Sequence, residues 1–255
     1  MLSLIQEVVT ALTPVKQTHT VLLLGLASSG KTSLVSALCS DGGGGRVDHD
    51  KNREAFQRDG GDGIYTLVPP KTSTTLGQNV VELETASTVV TVWDIGGGEG
   101  IRPMWKHYVD DADKLVFVID SQGSIQDIEN AIDILLDVPG ILQPTAAAPS
   151  PAAGKEIAKS SSAVTKPMLV LATKMDTYGT KQDGVDETSN PLLDDATVAA
   201  RLETIATTFT TKIDQRREAF GEDRLPPYTL TCLPVSCLNP EQLDDVRTWL
   251  CSLPV

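Results

Sequence analysis

The stretch Val21-Leu22-Leu23-Leu24-Gly25-Leu26-Ala27-Ser28-Ser29-Gly30-Lys31-Thr32 decides the fold. Four consecutive apolar residues read as a buried strand, and Leu34, Val35 and Leu38 follow at helical spacing. Between them lies G-x-x-x-x-G-K-T, the spacing of a phosphate loop. Its glycines let backbone N–H groups converge on phosphate oxygens, and the helix behind it aims a positive dipole end at the same point. Average residue usage would give this pattern by chance in about one chain in a hundred of this length. Gly25, Ala27, Ser28, Ser29, Gly30, Lys31, Thr32 and Ser33 are therefore candidate nucleotide-binding residues. Lys31 would pair with the β- and γ-phosphates, and the Thr32 hydroxyl would coordinate Mg²⁺.

Outward from this loop, short β-rich runs alternate with helical patterns, which predicts a parallel sheet with helices on both faces. Val80 to Leu83 and Val89 to Trp93 read as a hairpin. Leu115 to Ile119, Met168 to Ala172 and Tyr228 to Val235 read as the remaining strands. Ile125, Ile128, Ile132 and Leu135 predict one inward helix face, and Val198, Leu202, Ile205 and Phe209 another. Asn239-Pro240 predicts a capped helix start, with Leu243, Val246, Leu250 and Leu253 as its inward stripe. Ile5, Val8, Val9 and Leu12 share one face of an N-terminal amphipathic helix over 1–14. Residues 41–64, 143–166 and 177–192 are poor in apolar residues and read as flexible insertions. A single domain over 18–255 accounts for the length.

The 255 residues carry a net charge of −13, with 40% hydrophobic and 22% charged residues. A phosphate-backbone binder needs a basic face, so this balance argues against nucleic acid as a partner. Cys39, Cys232, Cys237 and Cys251 show no metal-ligand spacing and read as reduced thiols of a cytoplasmic protein. No apolar run nears the ~20 residues that span a bilayer. The start lacks a signal peptide, and Leu2 excludes N-myristoylation.

Four more segments follow in the order a nucleotide-binding G domain needs. Thr75, before the hairpin, would cap Mg²⁺ and report the γ-phosphate. Asp94, at a strand end, would hold Mg²⁺ through water, with the Gly97 N–H on the γ-phosphate in a D-x-x-G spacing. Thr173-Lys174-Met175-Asp176 follows a buried strand. Asp176 would accept from guanine N1 and its exocyclic amine, a donor pair adenine lacks, so it disfavours an ATP-using enzyme. The Lys174 stem would lie on the base. Ser236, Cys237 and Leu238 would meet the guanine O6. Ligands of parallel sheets lie beyond the carboxyl ends of the strands, where all these segments fall.

The run from Val92 to Tyr108, VWDIGGGEGIRPMWKHY, resembles the Arf/Arl-family small GTPase pattern V-W-D-V-G-G-Q-x-x-I-R-P-L-W-R-H-Y without a gap. Leu115 to Ser121 and Thr75-Leu76-Gly77-Gln78-Asn79-Val80 are similar to that family too. The resemblance implies a P-loop NTPase G domain of the α/β class, with a six-stranded, mostly parallel sheet. It implies GTP and GDP as ligands with Mg²⁺, and a GDP/GTP molecular switch used in intracellular trafficking. Its partners would be effectors, an exchange factor and a GTPase-activating protein, all met at the switch regions. It also implies an interswitch hairpin that slides and displaces the N-terminal helix, whose membrane contact would be weak and transient.

Three departures from the family pattern matter. Gly98 and Thr75 sit at the catalytic positions, and Gly98 stands where the family has the Gln that orients water. Intrinsic hydrolysis should then fall below the Ras-like rate of roughly 10⁻⁴ per second. Gln78 replaces a Phe of the interswitch cluster, and the long insertion at 41–64 lies just before switch I. Within the phosphate-loop match, Ala27 replaces an Asp. A second expectation follows from Gly98: a non-cycling, GTP-bound structural or scaffolding module, similar to the β-subunit of the signal-recognition-particle receptor.

Overall fold

The computed structural model describes residues 16–40, 46–47, 75, 77–85, 87–139, 141, 166–176, 192–220 and 230–254. The expected N-terminal helix over 1–14 lies outside these residues. So do residues 143–165, 177–191 and most of 41–64.

In chain order the elements are β1 (Gln17–Leu24), α1 (Lys31–Ser40), β2 (Arg46–Val47), β3 (Gln78–Glu84) and β4 (Thr88–Ile95). A 3₁₀ turn (Arg102–Met104) then leads into α2 (Trp105–Val109). Next come β5 (Lys114–Asp120), α3 (Ile125–Leu136), β6 (Met168–Thr173), α4 (Asp195–Phe220), β7 (Leu230–Pro234) and α5 (Pro240–Cys251). The sheet order is β2-β3-β4-β1-β5-β6-β7. β1 pairs in parallel with both β4 and β5, and β6 with β5 and β7. β3 runs antiparallel to β4 in the expected hairpin. This is the α/β P-loop architecture that the sequence predicts, with six principal strands and one addition. The addition is the two-residue β2, inside the 41–64 stretch, which pairs antiparallel with the outer edge of β3.

Period-two alternation sorts the strand side chains onto two faces. Leu22 and Leu24 of β1, Phe117 of β5 and Val170 of β6 face one core, closed by Ile128 and Ile132 of α3 and Ile205 and Phe209 of α4. Val21, Leu23, Val116, Val118 and Leu171 face the other, closed by Leu34 and Leu38 of α1 and Leu243 and Val246 of α5. Both faces of β1, β5 and β6 are covered, so these strands read as unbroken apolar runs. Pro234 is tolerated because β7 is an edge strand.

Two predicted core positions are corrected. Ile125 is the first residue of α3, at the helix end rather than along its buried stripe, and is 63% exposed. Leu253 is 47% exposed, because α5 ends at Cys251 before reaching it. The caps explain both starts. Ser124 and Asp127 form a reciprocal capping box on α3, and Asn239 accepts from the N–H groups of Glu241 and Gln242 on α5.

Candidate functional site

The site lies at the carboxyl ends of β1, β4, β6 and β7. After β1 the chain curls through Gly25 to Gly30. Gly30 takes a φ of +93°, which a side chain would resist. Ser28, at φ +64°, and Lys174, at +59°, are the non-glycine residues in the left-handed region among those described. One sits at the phosphate end and one at the base end, where local strain commonly marks function.

Lys31 turns back over the loop, and its Nζ donates to the carbonyls of Gly25 and Leu26, each at 2.8 Å. Burial holds this amine down at about 8; the Asp94 charge opposes the shift and the Arg102 charge adds to it. Thr32 Oγ1 donates to Asp94 Oδ2 at 3.0 Å and lies 3.0 Å from Thr75 Oγ1. Asn79 Nδ2 reaches the same Asp94 oxygen at 3.4 Å. Thr32, Thr75 and Asp94, the three residues expected to hold a metal, thus lie side by side. Asp94 is 1% exposed, and its second oxygen, Oδ1, is buried with no hydrogen-bond partner among the described residues. Burial raises this carboxyl above its usual range. A buried, unsatisfied carboxylate oxygen beside two hydroxyls is an all-oxygen donor set that fits a hard divalent cation. Ser29 Oγ is likewise buried without a partner.

Gly97 closes the phosphate end. A Cβ there would lie 2.2 Å from the Gly25 carbonyl oxygen and 2.6 Å from the Ala27 nitrogen, so only glycine permits the approach. A Cβ at Gly98 would meet nothing within 4 Å. The space beside the Gly98 α-carbon is therefore open.

At the base end, Asp176 is 8% exposed. Ser236 Oγ donates to Asp176 Oδ2 at 2.7 Å, and the Leu238 N–H donates to Ser236 Oγ at 3.0 Å. Burial, followed by the Asp176 charge, pushes the Cys237 thiol up to about 12. Lys174 Nζ pairs with Asp120 Oδ2 at 2.5 Å. Asp176 also forms an isolated antiparallel bridge with Leu192.

The structure adds residues that the sequence reading passed over. Gln122 Nε2 donates to the carbonyls of Lys174 and Asp176 at 3.1 and 2.8 Å. Trp105 Nε1 donates to the Gly96 carbonyl at 3.0 Å, and Arg102 Nε to the Gly97 carbonyl at 3.1 Å. No spacing rule marks Gln122; Arg102 and Trp105 lay inside the resemblance without an assigned task. The expected Ser33, Ala27 and Cys237 contribute backbone position, and no described side-chain hydrogen bond distinguishes them.

Comparisons with known proteins find similar sequences and a similar fold. The ADP-ribosylation factor (Arf) family model matches residues 66–138. ADP-ribosylation factor-like protein 3 of Chlamydomonas reinhardtii is 33% identical over 104 residues, covering 41% of this chain and 44% of that protein. ADP-ribosylation factor J of Dictyostelium discoideum is 41% identical over 64 residues, 24% of this chain and 34% of that protein. The aligned stretches thus span less than half the length of these relatives. A solved signal recognition particle receptor SRb-GTP/SRX complex from Chaetomium thermophilum aligns at TM-score 0.54 and 11% identity. The alignment covers 91% of this chain and 98% of that one, and the likeness is one of fold. Among the described residues no helix is long and apolar enough to cross a membrane.

Proposed function

We propose that this chain is a small GTPase of the Arf/Arl type, which binds GTP and GDP and works as a molecular switch with slow hydrolysis. The observation that carries the reading is a pair of residue clusters at the carboxyl ends of one sheet's strands. Lys31, Thr32, Thr75 and Asp94 gather at one end, and Asp176, oriented by Ser236, stands at the other. A lysine amine and a ring of loop N–H groups suit a polyphosphate. A carboxylate at the position of Asp176 suits the two adjacent donors of guanine.

Mg²⁺ would be held by Thr32, Thr75 and Asp94, and when bound it supplies charge neutralisation between the phosphates. This chain's own groups do the rest. Lys31 leaves its loop carbonyls for the phosphate, the Gly97 N–H meets the terminal phosphoryl group, and Lys174 lies along the base. The approach of Thr75 to Thr32 suits the triphosphate state, in which effectors bind the switch regions. An exchange factor would load the chain, and a GTPase-activating protein would supply what Gly98 lacks. The working location would be cytoplasmic, with the N-terminal segment giving at most weak membrane contact.

Gly98 favours a second reading, a GTP-bound scaffolding module that does not cycle. One experiment separates the two. The purified protein is denatured and its released nucleotide identified by chromatography. Mostly GDP supports the cycling switch and mostly GTP the static module. ATP, or no nucleotide, rejects both.

A further inference from the structure

We propose that Trp105 and Arg102 are positioning residues that fix two successive peptides, Gly96–Gly97 and Gly97–Gly98, as a rigid pair of N–H donors for a terminal phosphoryl group. The pair makes the site select a nucleoside triphosphate over a diphosphate. The inference rests on the guanine-nucleotide reading above and goes beyond it by naming what sets the preference for the third phosphate.

Three glycines in a row have great backbone freedom, and ordering them costs more entropy than ordering other residues. Here the following turn grips all three carbonyls. Trp105 is fully buried, and its single polar atom donates to the Gly96 oxygen at 3.0 Å. Arg102 Nε donates to the Gly97 oxygen at 3.1 Å. The backbone N–H groups of Ile101 and Arg102 both donate to the Gly98 oxygen, at 2.9 and 3.1 Å. All described peptide bonds are trans, so each N–H points opposite to the carbonyl of its own peptide. Holding the Gly96 oxygen therefore aims the Gly97 N–H, and holding the Gly97 oxygen aims the Gly98 N–H.

The place these donors occupy is fixed as well. The Gly97 α-carbon abuts the phosphate loop so closely that a Cβ would collide with Gly25 and Ala27. The gripped peptides thus border the end of the loop where a third phosphate would extend. Donors fixed before binding gain affinity because little ordering remains to be done. With Gly98 offering no side chain to orient a water, the arrangement is suited to holding the terminal phosphate rather than to attacking it.

The test compares affinities of the whole chain for GDP and for a non-hydrolysable GTP analogue, both with magnesium. Trp105→Phe removes the indole donor and keeps most of the ring. Arg102→Met keeps the stem and removes the guanidinium. Each variant should lose about tenfold in affinity for the analogue, the usual size of one lost hydrogen bond, while GDP affinity stays within about twofold. Arg102→Lys, which retains a donor, should recover part of the loss. Equal losses for both nucleotides would indicate general support of the fold, and unchanged ratios would indicate no role; either overturns the proposal. Should Trp105→Phe not fold, the half-buried Arg102 decides alone. If the unaltered chain binds neither nucleotide, it is the underlying guanine reading that fails.

Discussion

The Thr173 hydroxyl donates to the Ser29 carbonyl at 2.6 Å and also lies 2.9 Å from the Ile119 carbonyl oxygen. One side chain at the end of β6 thereby ties the base loop to the phosphate loop. An Asn amide at this position could also donate, so the Thr makes the link with a shorter group.

Thr173→Val should cut that link and leave the Ser29 carbonyl short of a donor. The expected loss is about 1 to 3 kcal/mol of stability, with weaker guanine-nucleotide binding. Thr173→Asn should retain most of both. Denaturant melts and a fluorescent-nucleotide titration read the two effects. Parity between the Val and Asn variants would show that the hydroxyl does not act as a tie.

Gln122 holds the backbone of the base loop from the far side. Gln122→Met keeps the length and removes both donors. Affinity for GDP should fall about tenfold, with global stability nearly unchanged, since the gripped carbonyls belong to a loop. Binding titration beside a thermal melt checks the split.

Neighbouring glycines should respond in opposite ways. Gly97→Ala forces a Cβ to 2.2 Å from a backbone oxygen, so the phosphate loop must shift and triphosphate affinity should drop by at least about tenfold. Gly98→Gln enters open space and should fold normally. If the missing side chain limits turnover, single-turnover GTP hydrolysis should rise on the order of tenfold or more. An unchanged rate would place the limit elsewhere.

Lys114 predicts a pH effect on stability. It is 1% exposed, and its ammonium donates to Trp249 O at 2.9 Å, to Ser252 O and to Ser252 Oγ at 2.8 Å. His19 Nε2 lies 2.7 Å from Leu250 O, so β1 and β5 together clasp the end of α5. Lys114→Met should cost about 2 kcal/mol. Burial lowers the Lys114 amine from 10.5 to about 8. Between those values the unfolded chain binds the proton more firmly than the folded one, so this titration adds stability as pH rises through the window. The partly buried thiols Cys39, Cys232, Cys237 and Cys251 act in the opposite sense above 9, and only Cys251 among them feels the Lys114 charge. Urea midpoints at pH 7.5 and pH 10 should show the gap between parent and Lys114→Met widening at the higher pH.

The fold was legible where one force dominates. β1, β5 and β6 are covered on both faces, so burial alone writes their apolar runs, and the α5 cap lies in Asn239-Pro240 itself. Ile125 and Leu253 were misread because helical spacing carries a face but not its end; cap geometry decides the terminal residue. β2 was hidden because two residues in a Gly-rich stretch have no periodicity. In the site, Lys31, Thr32, Thr75, Asp94 and Asp176 stood out because their chemistry demands fixed residue types. Gln122 and the link from Thr173 to Ser29 did not, since they act through backbone carbonyls that any sequence provides.

Calorimetric titration of the nucleotide-free chain with GTP, GDP and ATP, each with and without magnesium, tests the central claim most directly. The account predicts saturable heat for GTP and GDP that weakens when magnesium is removed, and little or none for ATP. Well-folded protein that gives no heat with guanine nucleotides, or equal heat with ATP, would contradict it.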